Sequence, residues 1–343
     1  MRYSSLIGSL CLLFLFACRQ KEMAKPAFYH WQTELALDTV EQEWLNRLAV
    51  ERVYVKFFDV DWDEGRRQLE PQAQLRVDTQ QLAGLREIVP CVFITNRSFL
   101  EASEEQLAAL PEQVFQKLQQ LQEQLPQDLR VQELQLDCDW SARTRAAFFD
   151  FLAALRPQAA AAGWQLSATI RLHQLADPKG TGVPPVDRGM LMFYNMGTLA
   201  SWQEHNSILN LEAALPYLSG QQTRYPLPLD VALPVFNWGV LFRDGSFTRL
   251  LNNLDTTLLA DGTRFEKLTA YRFRVRKNGY LQGSYVYEDD LIRVETIQPA
   301  QLKASRALLA PYLRTANYIS FYHLDASLLK QLLYADLEAF FDD

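Results

Sequence analysis

Glu133-Leu134-Gln135-Leu136-Asp137-Cys138-Asp139-Trp140 repeats with a period of two: Leu134, Leu136 and Cys138 form one face, Gln135, Asp137 and Asp139 the other. A period of two is that of an extended strand, whose side chains point alternately to opposite sides. Packing the apolar set against helices turns the polar set inward, so two carboxylates enter the lumen of a barrel, with Asp139 nearer the mouth. Buried carboxylates are costly unless paired or hydrogen-bonded, so the placement predicts a partner or a function. Lys56 is the candidate partner of Asp137, because Tyr54, Lys56 and Phe58 share one face of residues 53–61 while Val53, Val55 and Phe57 share the other.

Outward from this stretch, short runs rich in β-branched and aromatic residues alternate with longer amphipathic segments, the pattern of parallel βα units. Strands are predicted at 28–31, 53–61, 88–95, 133–140, 165–172, 189–196, 230–238 and 318–324. Most are nearly continuous apolar runs, as strands buried on both faces should be. Helices are predicted at 39–49, 103–124, 142–162, 208–218, 300–313 and 327–341, with Asp38 or Thr39 and Ser141 as N-terminal caps and Gly163 closing the third. Residues 176–187, with Pro178, Gly180, Gly182, Pro184 and Pro185, read as an irregular loop. The expected fold is a (β/α)8 barrel occupying residues 28–343. Residues 271–296 interrupt it, since Tyr271-Arg-Phe-Arg-Val-Arg alternates and Lys277-Asn278-Gly279 is a turn signal. They are expected to form a β-hairpin insertion between strands seven and eight, the alternative being a separate small β domain.

In such a barrel, chemistry gathers at the C-terminal ends of the strands. Strand two ends in Asp59-Val60-Asp61-Trp62-Asp63-Glu64, strand six in Tyr194-Asn195, strand seven in Asn237-Trp238 and strand eight in Tyr322-His323. With Trp31 and Trp140 these place six aromatic rings around one mouth, beside carboxylates and amides, a combination suited to sugar rings. Asp137, Asp139 and Asp61 are the candidate catalytic acids. Trp31, Asp59, Trp62, Asp63, Trp140, Tyr194, Asn195, Asn237, Trp238, Tyr322 and His323 are the candidate binding residues.

Other chemistries lack their signatures. A net charge of −7 spread along 343 residues gives nucleic acid no basic footprint. No GxSxG elbow, P-loop or GxGxxG after a strand occurs, so no cofactor is expected. Four histidines without metal-ligand spacing, His30 and His323 among them, predict no metal site. Cys91 and Cys138 each sit in an apolar run and read as buried thiols, with a bridge between neighbouring strands as the alternative.

Leu134-Gln-Leu-Asp-Cys-Asp-Trp followed by Phe148-Phe-Asp-Phe-Leu-Ala-Ala-Leu-Arg resembles the fourth strand and next helix of chitinase-like family 18 glycoside hydrolases, whose motif is DxxDxDxE. Met192-Phe-Tyr-Asn195 resembles that family's Met-x-Tyr-Asp, and Leu233-Pro-Val-Phe-Asn-Trp238 its Pro-x-Tyr-Gly. The chain also resembles, over most of its length, a group of bacterial lipoproteins with such a barrel. The resemblance implies a TIM-type barrel and a carbohydrate ligand. It also implies a departure: Asp137 and Asp139 match the second and third motif acids, but Leu134 stands at the first and Ser141 at the catalytic glutamate. Serine cannot protonate a glycosidic oxygen. Two readings follow: a hydrolase with reassigned acids, in which Asp139 works with Asp61, Asp63 or Glu64, and a non-catalytic protein that binds a glycan or a protein partner.

At the N-terminus, Arg2 precedes an apolar run over residues 6–17, too short to span a bilayer but suited to the core of a signal peptide. It ends in Leu15-Phe16-Ala17-Cys18, which resembles the lipobox of bacterial lipoproteins. The expectation is cleavage after residue 17, lipid on Cys18, a tether over residues 18–27, and a barrel held to a membrane of the cell envelope. The alternatives are an ordinary secretory signal containing Cys18 and an uncleaved anchor helix.

Overall fold

The computed structural model describes residues 24–82, 84–219 and 225–341. Eight parallel strands, numbered here as barrel strands, run through it: β1 Lys25–His30, β2 Arg52–Asp63, β3 Glu87–Ile94, β4 Glu133–Asp137, β5 Gln165–Ile170, β6 Arg188–Met192, β7 Leu229–Pro234 and β8 Tyr318–Tyr322. Each pairs with its neighbours in sequence, and β1 closes the ring by pairing with β8 (Ala27 opposite Ser320) and with β2 (Phe28 opposite Val53). The closed eight-stranded barrel with helices between its strands is the expected fold class.

Alternation fixes the layers. Leu134, Leu136 and Cys138 point outward and are fully or nearly fully buried, while Gln135 and Asp137 are buried inside the ring. Within the lumen the Tyr29 hydroxyl donates to Gln135, whose amide donates to Ser167 at 3.3 Å. At the N-terminal end Arg52 bridges Glu87 at 2.5 Å and Glu133 at 2.6 Å, and Ser167 donates to the other Glu133 oxygen at 2.6 Å. The two carboxylates of the buried base are thus held on the terminal nitrogens of one guanidinium, whose Nε has no partner. Cys91 and Cys138 are free, buried thiols.

The helices on the outer face are α1 Thr39–Arg47, α2 Glu104–Gln122, α3 Arg145–Ala161, α4 Leu172–Ala176, α5 Leu211–Ser219 and α6 Pro299–Leu313. Asp38 caps α1 in a reciprocal box with Glu41, and Ser103 caps α2 with Gln106. Gly163, at φ 78°, closes α3. Ser141 does not cap α3, which begins only at Arg145. Its N–H donates to the Thr144 hydroxyl at 2.9 Å, making a separate turn before the helix. The single helix expected over 327–341 is two short ones, Ala326–Leu329 and Tyr334–Glu338, the first capped by Asp325.

Several strands end earlier than their apolar runs, because the last residues leave the ladder to build the rim. Asn195 turns into the left-handed region at φ 57°, and its N–H donates to the Ile208 carbonyl at 2.7 Å. The run 230–238 divides: β7 stops at Pro234, and Trp238 opens an antiparallel strand. The insertion is therefore larger than the hairpin expected over 271–296. Its five-stranded sheet has the order Ser246–Asn252, Trp238–Arg243, Leu291–Glu295, Arg272–Val275, Phe265–Thr269. A small hairpin pairs Gly279–Leu281 with Ser284–Val286. The missed signal was Asp244-Gly245, a two-residue turn with both φ angles positive (50° and 75°) between apolar strands. The insertion has its own core, including Leu241, Phe265, Val275, Leu281, Val286 and Ile292. Arg272 fastens it to the barrel by donating to the carbonyls of Trp202, Gln203 and Glu204.

Candidate functional site

A cleft of about 450 Å³ opens at the C-terminal ends of the strands, in the range of small-ligand sites. β4 delivers Asp137 and, just past its end, Asp139; the turn after β6 delivers Tyr194 and Asn195. The connection from β7 into the insertion delivers Asn237 and Trp238, and β8 delivers Tyr322 and His323, with Trp31 following β1. These expected residues are brought together. Tyr322 is the hub of the aromatic wall: its ring centroid lies 5.4 Å from Tyr194, 5.7 Å from Phe236 and 5.8 Å from Trp31.

The two cleft acids share one cation that the sequence reading overlooked. Arg171, immediately after β5, donates through Nε to Asp139 at 2.5 Å and through Nη2 to Asp137 at 3.2 Å. Asp137 also accepts from the Thr169 hydroxyl at 2.6 Å. Burial pushes the Asp137 carboxyl above the usual carboxylate range, and the Arg171 charge opposes this. Lys56 is not the partner of Asp137; its ammonium lies 3.1 Å from Asp59, three residues along its own strand. A basic residue directly after a barrel strand was the available signal for Arg171. Asn252 and Asn253, which reach the cleft from the insertion, had no local signal.

The strand-two acids do not join the cleft. β2 continues to Asp63 and pairs there with the antiparallel strand Gln68–Gln72, which carries its end beyond the rim. Asp61 is held at about 2 by hydrogen bonds from Arg97 (Nε 2.7 Å, Nη2 2.6 Å) and Thr95 (2.6 Å), so it is a fixed carboxylate in a side network. Asp63 accepts the Arg66 N–H at 2.8 Å and shapes the turn, and Trp62 is buried beside a groove with Arg67 and Gln106. Asp59 stays paired to Lys56, its carboxyl raised by burial. Trp140 faces outward, as the alternation of β4 requires: its ring stacks 5.4 Å from Phe148 and its indole donates to the Thr181 carbonyl at 2.9 Å. Ser141 is spent in the turn with Thr144.

Behind the cleft, Glu295 braces two walls. One oxygen accepts from the Trp238 indole at 2.9 Å and from Ser207 N–H and hydroxyl at 2.7 and 2.6 Å, and the other accepts from Arg293 at 2.6 Å. The insertion sheet thereby sets the indole plane of Trp238 and ties it to the loop after β6. Two buried polar atoms on the cleft residues, Asn237 Oδ1 and His323 Nδ1, have no partner within the chain. Burial holds His323 below the usual histidine range and His30 at about 4, so both imidazoles are neutral at pH 7. Among the described residues no cluster of histidine, cysteine and acid is placed to hold a metal ion.

Comparison with solved structures places the barrel among chitinase-like folds. A chitinase from Chromobacterium violaceum ATCC 12472 is 15% identical, over 93% of this chain and 99% of the other, with a TM-score of 0.53. A class V chitinase from Pseudomonas fluorescens Pf-5 is 14% identical over 93% and 100%, with a TM-score of 0.55. The spore cortex-lytic enzyme SleL of Bacillus cereus is 13% identical over 90% and 74%, at 0.53. Identities this low establish a shared fold. No protein-family model and no curated protein matches the chain.

Proposed function

We propose that this protein is a lipid-anchored envelope protein whose barrel binds a carbohydrate at its C-terminal mouth without hydrolysing it. The observation that carries the reading is the composition of the cleft. The rings of Trp31, Tyr194, Trp238 and Tyr322 stand beside the unpaired, buried Asn237 Oδ1 and His323 Nδ1. Apolar ring faces match the C–H faces of a sugar, and a buried acceptor left unpaired favours a ligand that brings hydroxyl donors. The likeness to chitinase folds supports the ligand class.

The acids support binding over turnover. Hydrolysis requires a carboxylic acid free to give its proton to the leaving oxygen. Asp137 and Asp139 both pair with Arg171, whose charge opposes protonation of the buried Asp137, and Ser141 occupies the position of the family's acid. Asp137, raised by burial, is the one cleft group that a hydrolytic reading would rest on.

Cys18 lies outside the described residues, and its lipidation belongs to the proposal. Among the described residues no helix is long and apolar enough to cross a membrane. Metabolic labelling with a fatty-acid analogue in a bacterial host is expected to mark the wild type and not Cys18→Ser; equal labelling of both would contradict the anchor.

The test of the cleft is a panel of chitin, cellulose and peptidoglycan oligosaccharides, scored for binding by calorimetry and for released reducing ends. Saturable binding without release is the expected result. Release that disappears in Asp137→Asn would replace the binding reading with a hydrolase, and no binding to any member would remove the carbohydrate reading.

A further inference from the structure

The small hairpin of the insertion carries an aromatic surface that the cleft does not use. Its alternation sorts the side chains: Leu281 and Val286 are buried in the insertion core, while Tyr280, Tyr285 and Tyr287 are 69%, 40% and 47% exposed. Tyr280 and Tyr285 are directly opposite across the strands, with ring centroids 5.1 Å apart, and Tyr285 is 4.9 Å from Tyr287. Cross-strand aromatic contacts of this kind hold one another in place. The row is further fixed by Arg243, which lies 4.2 Å over the Tyr287 ring while pairing with Asp290 at 2.8 Å. A folded chain that leaves three touching aromatic rings in water presents a surface for a partner.

The hairpin is also joined to the cleft wall. At its turn, the Gln282 amide donates to the Asn253 carbonyl at 3.0 Å and accepts the Asp255 N–H at 2.6 Å. Asn253 lines the cleft, and its side chain donates to Asp325 at 3.1 Å. The tyrosines stand on either side of that turn, so their position is set relative to the cleft. The cations that touch the row are engaged: Arg243, over the Tyr287 ring, pairs with Asp290, and Arg264 donates to the Tyr280 carbonyl, while Arg276 and Lys277 are matched along the chain by Glu288 and Asp289. An anionic lipid surface or an acidic polymer therefore gains no net attraction, and what remains is ring faces with phenol hydroxyls.

We infer that this tyrosine row is a second binding surface, which takes an uncharged polysaccharide chain as it extends beyond the cleft. This rests on the carbohydrate reading of the cleft for the identity of the ligand, and the two can fail separately. A ligand spanning both surfaces gains affinity with length because the second contact is made at high effective concentration.

The test uses the full chain, Tyr280→Ala/Tyr285→Ala, the Phe counterparts at both positions, and Trp238→Ala. Probes are insoluble chitin, cellulose and peptidoglycan sacculi, with the soluble disaccharides and hexasaccharides of chitin and cellulose and neutral and anionic phospholipid vesicles. Expected is retention on at least one insoluble polysaccharide that falls about tenfold in the alanine pair and is kept in the phenylalanine pair. Disaccharide binding is expected to be unchanged in the alanine pair. Since the substituted rings are exposed, far-UV circular dichroism should match the wild type. Equal retention of alanine pair and wild type, retention of neither on any polysaccharide, or a tyrosine-dependent association with vesicles in place of polysaccharide would overturn the inference. Tyrosine-dependent retention with no disaccharide binding at all, and no loss in Trp238→Ala, would sink the cleft reading and overturn the extension from it, leaving the row as a polysaccharide surface of its own.

Discussion

Arg171 is the residue on which the character of the cleft turns. Its guanidinium is mostly buried and pairs with Asp137, which is buried, and with Asp139, which is exposed, so removing it leaves Asp137 buried beside a second acid. Arg171→Gln is expected to destabilise the fold by about 2 kcal/mol, less than the roughly 3–5 kcal/mol of a fully buried pair because Asp139 stays open to water. It should also push the Asp137 carboxyl further up; urea denaturation and carboxyl-carbon NMR titration measure the two effects. A variant as stable as the wild type would mean that the bridge does not hold the acids. Asp61 gives a second prediction at this scale. Its folded value of about 2 lies below the ordinary 3.8, so the unfolded chain takes up the proton first. The contribution of the Arg97 pair is therefore complete above about pH 4 and is lost as pH falls toward 2. Asp61→Asn should flatten stability in that window and leave glycan binding untouched; a loss of binding would return Asp61 to the site. Sequence alternation was enough to turn Asp137 and Asp139 inward and Cys138 outward. The same alternation, carried past the end of β4, would have turned Trp140 outward, away from the mouth. Pairing was harder to read: Lys56 lies on one barrel strand and Arg171 just past the end of another, and only the register decides which cation meets which acid.

At the scale of elements, α1 and β1 carry opposing titrations. Glu41, inside the α1 capping box, is pushed up to about 7 by burial, although the N–H groups of Asp38 and Ala326 bond to it. Its folded value is above the ordinary 4.5, so the folded chain holds that proton longer and loses stability as pH rises from about 4.5 to 7. His30 on β1 has the opposite sense: held at about 4 against an ordinary 6.5, it costs stability as pH falls from about 6.5 to 4. Relative to the wild type, Glu41→Gln should tilt the stability profile upward with pH between about 4.5 and 6.5, and His30→Gln should tilt it downward. Urea midpoints across that interval read the tilt directly, and the same slope in all three proteins would show that neither group is perturbed. The Asp38 cap was legible because the hydrogen bonds it makes lie within one turn. Ser141 misled because its hydroxyl has a competing partner in Thr144, and the C-terminal segment misled because its apolar spacing continued through a break. The insertion was underestimated for a related reason. Trp238-Gly-Val-Leu-Phe-Arg243 follows β7 after a short gap, and a continuous apolar run carries no mark of where a parallel strand yields to an antiparallel one.

For the whole molecule, eight apolar runs at βα spacing specify a parallel sheet covered on both faces, and the pairing of β1 with both β8 and β2 closes it into the barrel. The site follows from that closure: strand ends far apart in sequence, from Trp31 to His323, meet at one rim. What the periodicity could not convey is which long-range elements reach over the rim. β2 runs on into an antiparallel pairing that carries Asp61, Trp62 and Asp63 away, while the insertion folds back to supply Asn252 and Asn253. The central claim is that this rim binds a carbohydrate, and two tryptophans in it report on the event. Trp238 is braced by Glu295 against the cleft, and Trp31 faces it from β1. Titrating the full chain with the best oligosaccharide of the panel while following tryptophan fluorescence measures occupation of the cleft itself. The account predicts a saturable change in emission that is lost in Trp238→Ala and weakened about tenfold or more in Asn237→Ala, the loss of one good hydrogen bond to a buried group. A titration in which emission does not change, or in which both variants bind as the wild type does, would contradict it.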